Sequence, residues 1–224
     1  MREAFRSWRF ARALRACAAQ GDERLTRYAA ADWPAGDMAM ADVSLLALDF
    51  ELDGLSKDAH LLQAGWLPFD ARGIDLRAAQ SFDVRSRRTL DDDAVAIHGI
   101  GEQRARAGEG IGGVVDDLVG ALAGRIMVAH GASVEREVIS RVTRARYGHA
   151  IPVRSICTLA LERKLNPNLV GNGPYRLAAT RKRYGLPDYG QHDALSDALA
   201  AAELLLAQLS RMPAATRLGS LERL

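Results

Sequence analysis

The chain has 224 residues, of which 48% are hydrophobic and 26% are charged, and its formal net charge is +2. This length and apolar content suit one well-packed globular domain, and no stretch is apolar enough to be predicted as a membrane span. Cys17 and Cys157 lie far apart without metal-ligand spacing, so neither a disulfide framework nor a zinc site is expected. Because no secretory pattern is present, the sequence predicts a reduced protein of the cytoplasm.

Residues 1–31 are predicted to form a helical arm, which ends at the helix-breaking residues 32–37. The first twenty residues contain five arginines and one glutamate, so they carry a charge of +4 while the rest of the chain carries about −2. An amphipathic helix packed on the domain, with its arginines outward, is the simplest interpretation. Three sharper roles stay open: contact with nucleic-acid phosphates, docking of a protein partner or a second copy, and a mitochondrial presequence.

The aliphatic run at residues 43–51 is typical of a buried strand. Asp49 and Glu51 are two residues apart, so they project from the same face, while Phe50 turns toward the opposite layer. Two neighbouring carboxylates at the end of a core strand repel each other unless a cation or a proton offsets their charge. Oxygen ligands of this kind suit Mg²⁺ or Mn²⁺, although the same pair also fits the solvated end of a strand.

The remaining elements follow from the same periodicities. Strands are predicted at residues 60–68, 74–84, 125–129 and 151–155, and helices at residues 111–122, 156–165 and 175–184. The strand at 125–129 delivers His130 and leads into a helix that carries Glu135. Three strands of a meander, followed by strands that alternate with helices, predict an α/β fold with a mixed five-stranded sheet flanked by helices and an N-terminal helical extension.

Residues 191–209 show a strong helical pattern with one apolar stripe. His192 is predicted in the first turn of this helix, and Asp197 lies about one and a half turns later. A histidine in that place can accept a proton at working pH, because its unperturbed pKa is close to neutral. The plainer interpretation is a histidine at a helix start and an aspartate on a solvated face. The basic residues of segment 175–184 either form a solvated face or contact substrate phosphates.

Taken together, these segments resemble the DEDDh 3′–5′ exonucleases, the superfamily of the DNA polymerase III proofreading subunit, ribonuclease T and oligoribonuclease. Asp49-Phe50-Glu51 matches the family's Asp-x-Glu on a strand, and the segment from His192 to Asp197 matches its His-x-Ala-x-x-Asp motif. Between them, Ile97-His98-Gly99-Ile100 looks like the His-Gly-Ile segment near the substrate's 3′ end, and residues 126–135 look like the middle motif, Ala-His-Asn-Ala-x-Phe-Asp.

The resemblance implies a ribonuclease H-like fold, two divalent cations (Mg²⁺ or Mn²⁺), and hydrolysis of a single-stranded DNA or RNA 3′ end to nucleoside 5′-monophosphates. It implies an exonuclease domain at residues 42–212, an arm and linker at 1–41 and a tail at 213–224. The residues that it implies are Asp49, Glu51, Glu135 and Asp197 as metal ligands and catalytic groups, His192 as general base, and Phe50, Leu52, His98, Gly99, Ile100 and His130 as substrate contacts.

The sequence departs from the family pattern at two places. Glu135 stands where the family has aspartate, and Leu52-Asp53 replaces the usual Thr-Thr. These departures leave open a catalytically weakened accessory subunit that binds nucleic acid, and the arm leaves open a subunit that docks to a partner or forms a homodimer. His130 either braces a turn or contacts substrate, and the choice between DNA and RNA is open as well.

Overall fold

The structure is a computed structural model that describes residues 2–54, 59–86 and 99–222. Its strands are β1 (Leu45–Leu52), β2 (Leu61–Asp70), β3 (Gly73–Ile74), β4 (Gln80–Asp83), β5 (Ile126–Ala129) and β6 (Ser155–Cys157). The α-helices of the described residues are α1 (Arg2–Ala18), α2 (Glu23–Ala30), α3 (Glu102–Ala107), α4 (Ile111–Leu122), α5 (Ser133–Tyr147), α6 (Thr158–Leu165), α7 (Leu177–Arg183), α8 (Ala194–Leu209) and α9 (Leu218–Leu221).

The strands form one mixed sheet in the order β3-β2-β1-β5-β6, with β4 also paired to β2. Strands β1 and β2 are antiparallel, whereas β5 lies parallel to β1 and β6 parallel to β5. The predicted α/β class with a flanked mixed sheet is therefore confirmed. The sheet has six strands because the predicted third strand is divided by a short 3-10 turn at Leu76–Ala78, where the Asp75 carboxylate accepts a hydrogen bond from the Arg77 amide.

The last predicted strand lies further along the chain than expected. Pairing with β5 covers only Ser155–Cys157, instead of residues 151–155. Pro152 has no amide hydrogen to give to a neighbouring strand, and its carbonyl oxygen accepts a 2.7 Å hydrogen bond from the Tyr28 hydroxyl instead. The segment before β6 is therefore used to hold α2 rather than to extend the sheet.

Alternation along β1 divides its own side chains between two cores. Leu46, Leu48 and Phe50 belong to the arm-side core, which also contains buried residues of α2, α4 and α5. Leu45 and Ala47 belong to the α8-side core, whose other members include Ala198 and Leu205 of α8. Because side chains alternate along a strand, Asp49 and Glu51 continue the α8-side series. The two carboxylates therefore point toward the face that α8 covers.

The N-terminal arm is packed on the domain, as its amphipathic pattern predicts, but it forms two helices instead of one. Gly21 adopts a left-handed φ of 79°, and the Asp22 side chain then caps α2. Cys17, Leu25 and Tyr28 are almost fully buried in the arm-side core. Helix α9 likewise contributes two leucines to the α8-side core. Across the described residues, no helix is long and apolar enough to cross a membrane.

Close contact between β2 and the first turn of α8 depends on Gly65. This glycine pairs with Asp49 across the β1/β2 ladder, and it faces the start of α8. An added Cβ at position 65 would lie only 2.2 Å from the backbone nitrogen of Leu195. No flexible side chain can relieve that overlap, because the atom it meets belongs to the backbone. The glycine therefore lets α8 begin directly beside the Asp49 carboxylate.

We expect Gly65→Ala to push the first turn of α8 away from β2 and to lower the free energy of unfolding by about 1–3 kcal/mol, the usual cost of overpacking. Urea unfolding measures this loss, and hydrogen exchange at the Leu195 amide should become faster. Gly113→Ala is the matched control, because position 113 is an exposed helical site with open space around an added Cβ. The control should be neutral or stabilising by roughly 0.5–1 kcal/mol. Equal free energies of unfolding for the two variants would contradict the role assigned to Gly65.

Candidate active site

Three carboxylates converge at the end of β1. Oxygen atoms of Asp49, Glu51 and Asp197 all lie within 4.8 Å of one another. The first two come from the α8-side face of β1, and Asp197 comes from the first turn of α8, directly above that face. The two motifs that lie nearly 150 residues apart in the sequence thus meet at one point, as the resemblance implies.

Both oxygen atoms of Asp197 are held by neighbours that precede α8. The Tyr189 hydroxyl donates to Oδ1 at 2.9 Å, and the His192 backbone amide donates to Oδ2 at 2.7 Å. These two hydrogen bonds fix the direction of the carboxylate and tie it to the loop that carries His192. Tyr189 was not identified in the sequence, because a single tyrosine in a loop carries no recognisable spacing signal.

The periodicity predicts His192 in the first turn of α8, and this is wrong. His192 lies just before the helix. The helix begins at Ala194, because the Asp193 side chain accepts a hydrogen bond from the Ser196 amide and caps it. His192 has a φ of 62°, which makes it the one non-glycine residue with a positive φ in the described parts of the chain. Its side chain is exposed. The left-handed backbone therefore turns an accessible imidazole out beside the Asp197 carboxylate.

Gln63 joins the sheet to the start of α8. Its side chain is only 2% exposed, and its Oε1 accepts a 2.9 Å hydrogen bond from the Ala194 amide. Its Nε2 donates at 3.3 Å to the carboxylates of Asp193 and Asp83. Because Gln63 pairs with Glu51 across the ladder, this bridge sits next to the converging carboxylates. Like Tyr189, it was missed in the sequence, since its partners are identified only by the strand register.

Glu135 reaches the same region from the start of α5. It is 5% exposed, and its Oε2 has no hydrogen-bond partner among the described residues. Its charge is a cause of the raised pKa of Asp49, second only to burial. Glu135 is not part of the group whose oxygen atoms lie within 4.8 Å of one another. The longer side chain thus brings a fourth buried carboxylate to the site, set back from the other three.

Each of these carboxylates has a raised pKa, which shows that the fold disfavours its charged form. Burial is the largest cause in every case, and it places the pKa of Glu51 and of Glu135 at about 7. The pKa of Asp49 is raised well above its usual value by burial and by its acidic neighbours, and that of Asp197 is raised despite its two hydrogen bonds. A site of oxygen donors that repel one another, with one buried oxygen unpartnered, is suited to divalent cations.

The residues predicted to contact substrate have different environments. Phe50 is buried in the arm-side core, and Leu52 packs against that core. Ile100 is fully buried and packs with Leu62, whereas Gly99 is exposed with a left-handed φ of 67°. His98 lies outside the described residues. Contact between these residues and a substrate stays a prediction, and for Phe50 and Ile100 the burial leaves the backbone as the group that can make it.

His130 braces the loop beside the site. Its Nε2 lies 2.8 Å from the Tyr175 carbonyl oxygen, which can only accept, so Nε2 carries the hydrogen. Nδ1 then accepts from the Thr158 hydroxyl at 2.9 Å. Burial lowers the pKa of His130, which favours the neutral ring that this arrangement needs. Both ring nitrogens are thus used within the protein, and the predicted contact with substrate is untested.

The basic segment before α8 is partly internal. Arg181 is 2% exposed and lies 2.7 Å from the Glu203 carboxylate, and Arg183 pairs with buried Glu162 at 3.0 Å. These two arginines therefore stabilise the domain. The exposed basic side chains of the segment are Arg176 and Lys182. Only these two are free to meet phosphates.

Comparisons with known proteins agree with this geometry. The family model described as exonuclease (RNase T) matches residues 46–205. Among solved structures, Exonuclease X in complex with 5′ overhanging duplex DNA is 25% identical, with a TM-score of 0.61 over 80% of this chain and 99% of that chain. E. coli Exonuclease I in complex with a 5cy-dT13 oligonucleotide is 18% identical, with a TM-score of 0.63 over 77% of this chain and 42% of that chain. No curated protein matches.

We expect Asp49→Asn to stabilise the metal-free protein near neutral pH. The site carboxylates have raised pKa values in the folded state, so the folded protein binds more protons than the unfolded chain between about pH 4.5 and about pH 7. The free energy of unfolding is therefore higher at low pH, where these carboxyl groups are protonated, and it falls as the pH rises through that window. An asparagine carries no titratable proton, so Asp49→Asn should remove the share of this loss that belongs to position 49 and should be more stable than the wild type at about pH 7.5.

Urea unfolding in EDTA, at about pH 5 and about pH 7.5, measures this effect. Asp117→Asn is the matched control, because this aspartate is exposed on α4, away from the cluster. The difference between the two pH values should shrink in Asp49→Asn and stay unchanged in the control. Parallel pH dependence in all three proteins would show that the carboxylates do not repel one another in the folded state.

Proposed function

This chain belongs to the exonuclease family, of the DEDDh 3′–5′ type, and from that membership we propose that it removes nucleotides from single-stranded DNA or RNA 3′ ends as nucleoside 5′-monophosphates. The observation that carries the proposal is the convergence of Asp49, Glu51 and Asp197 within 4.8 Å beside an exposed histidine. The DNA in the Exonuclease X complex supports a DNA end as the first substrate to test.

We propose that Asp49, Glu51, Asp197 and Glu135 hold two divalent cations, Mg²⁺ or Mn²⁺. The donor set consists of carboxylate oxygens, which these hard cations prefer. The unpartnered Oε2 of Glu135 and the raised pKa values of the cluster support the same assignment. When bound at such a site, divalent cations lower the pKa of water and neutralise charge that develops on phosphoryl oxygens.

The residues of the chain have distinct proposed tasks in this reaction. A water oxygen forms a bond to the terminal phosphorus, the bond from phosphorus to the 3′ oxygen breaks, and that leaving oxygen takes up a proton. His192 accepts the proton of the attacking water, because its imidazole is exposed at the site and its backbone is fixed by Asp197. Tyr189 and Gln63 position Asp197 and the start of α8.

The terminal nucleotide is proposed to lie against the end of β1 and the loop near residue 99. Leu52, the backbone of Phe50 and the exposed Gly99 are the candidate contacts, with the backbone of Ile100 beside them. His98 belongs to the same proposed set. His130 would act on the rim of the pocket through Tyr175, whose carbonyl oxygen it holds.

We expect 5′-labelled single-stranded DNA or RNA to give a ladder that shortens from the 3′ end in Mg²⁺ or Mn²⁺, with a nucleoside 5′-monophosphate as product. A duplex with a 5′ overhang should be included, because the solved structure of Exonuclease X is in complex with that DNA. EDTA and Asp197→Asn should each abolish the ladder, since both remove the charge balance of the site. Asp117→Asn should leave the activity unchanged.

Two results would contradict the proposed function. Cleavage that persists in both EDTA and Asp197→Asn would place the activity elsewhere. Absence of any ladder from folded protein, together with stabilisation by Mn²⁺, would instead favour an accessory subunit that retains the metal site without turnover.

We expect His192→Asn to lower the turnover rate by about 10²–10⁴-fold, the usual contribution of a general base. Asparagine tolerates the left-handed backbone of this position, so the fold and the amide that holds Asp197 should be retained. The variant should therefore keep wild-type stabilisation by Mn²⁺ in a thermal unfolding experiment, whereas Asp197→Asn should lose it. Loss of Mn²⁺ stabilisation in His192→Asn would mean that the residue shapes the metal site and does not act as a base.

A further inference from the structure

The outward face of α1 carries two large aromatic side chains in solvent. Phe5 is 58% exposed and Trp8 is 52% exposed, and their rings are nearly parallel, with centroids 6.1 Å apart. Of the three tryptophans in the chain, Trp66 is buried and Trp33 packs against Phe10, so Trp8 is the one that presents its ring to water. Neither aromatic contributes to either core of the described structure.

Arginines alternate with these rings along the same face. The guanidinium of Arg9 lies 5.9 Å from the Phe5 ring centroid, and that of Arg12 lies 5.7 Å from the Trp8 ring centroid. Within the described part of the chain, no carboxylate forms an ion pair with Arg9 or Arg12. At 100° per residue the four side chains share one side of α1, opposite to Leu14, which packs against the arm-side core. We call this set, Phe5, Trp8, Arg9 and Arg12, the α1 stripe.

We propose that the α1 stripe binds the single-stranded part of a nucleic acid whose 3′ end occupies the carboxylate site. This inference rests on the proposed function. Aromatic faces stack on bases of any sequence, and interleaved arginines meet the phosphates between them, which is the composition of surfaces that bind single strands. The stripe has no acidic member, so its charge is complementary to a phosphate backbone.

A second copy of the chain is a poorer occupant. Two-fold pairing of the stripe with itself would bring the arginines of one protomer against those of the other. Without a carboxylate on the stripe, nothing in that contact would offset the repulsion. The stripe therefore favours an anionic partner over self-association.

The position of α1 also fits this role. Helix α1, including Arg9 of the stripe, lines a groove of about 1410 Å³, together with Ser133 and Arg136 at the start of α5. These residues flank Glu135, which is buried beside Asp49. The arm lies outside residues 46–205, which the family model matches, so the stripe is an addition to the shared exonuclease domain. Helix α1 thus adjoins the helix that delivers the fourth carboxylate.

The test compares binding of a long single-stranded oligonucleotide, by fluorescence anisotropy in EDTA, across two pairs of variants. The stripe variants are Phe5→Ala/Trp8→Ala and Arg9→Gln/Arg12→Gln. The matched controls are Leu76→Ala, in the 3-10 turn after β3, and Arg72→Gln, in the turn between β2 and β3. Both side chains are exposed, and the end of β2 that they follow pairs with the start of β1, remote from the carboxylates. We expect the aromatic variant to weaken binding by about 5- to 100-fold. In the arginine variant, the slope of log binding constant against log salt concentration should fall by the amount that about one to two phosphate contacts contribute.

Hydrolysis of a nitrophenyl ester of a nucleoside 5′-monophosphate separates this inference from the proposed function. The ester contains a single nucleotide and none of the single strand that the stripe is proposed to bind, so the stripe variants should hydrolyse it at the wild-type rate. No ester hydrolysis by the wild type would overturn the proposed function, while the binding comparison would still test the stripe. Wild-type oligonucleotide affinity in both stripe variants would overturn the stripe. A dimer in sedimentation that only the stripe variants lose would likewise overturn it, in favour of self-association.

Discussion

The contact between the first turn of α8 and strand β2 is the constraint on which the rest of the site depends. Gly65 lies opposite Asp49 in the ladder and has no side chain, so the backbone of α8 can approach the sheet at that point. Gln63 then joins the Ala194 amide to the sheet, two residues away. Because α8 is fixed there, the Asp197 carboxylate lies within 4.8 Å of the carboxylates of Asp49 and Glu51 on β1. The strand register thus converts two separate motifs into one site.

That constraint brings together carboxylates that repel one another in the absence of a cation. Four buried or half-buried carboxylates have raised pKa values, and burial is the largest cause for each. Tight packing of small residues of α8, such as Ala198 and Ala202, against the sheet supplies the opposing stabilisation. The protein therefore holds its reactive groups in an arrangement that favours cations over the empty site, which is the usual relation between stability and function at such centres.

Much of this site was accessible from the sequence, and the missing parts share a physical reason. Asp49 and Glu51 were assigned to one face correctly, because the two-residue period of a strand is a property of the backbone. Gly65 and Gln63 were missed, because their meaning depends on the pairing register of β1 and β2, which local patterns do not contain. The predicted helix starts three residues too early, because the apolar stripe that begins at Leu195 does not mark a boundary, whereas the capping bond of Asp193 sets it at Ala194.

The alternation of β1 also has a consequence for folding fidelity. A slip of β1 by one residue against its neighbours would turn Asp49 and Glu51 into the arm-side core and would bring Phe50 beneath α8. Burying two carboxylates among the apolar side chains of the arm-side core, without a cation, costs several kcal/mol of folding free energy. That cost is on the order of the stability of a whole domain. The acidic pair therefore penalises a misaligned sheet more strongly than any apolar pair in its place would, and it helps to select the native alignment before any substrate arrives.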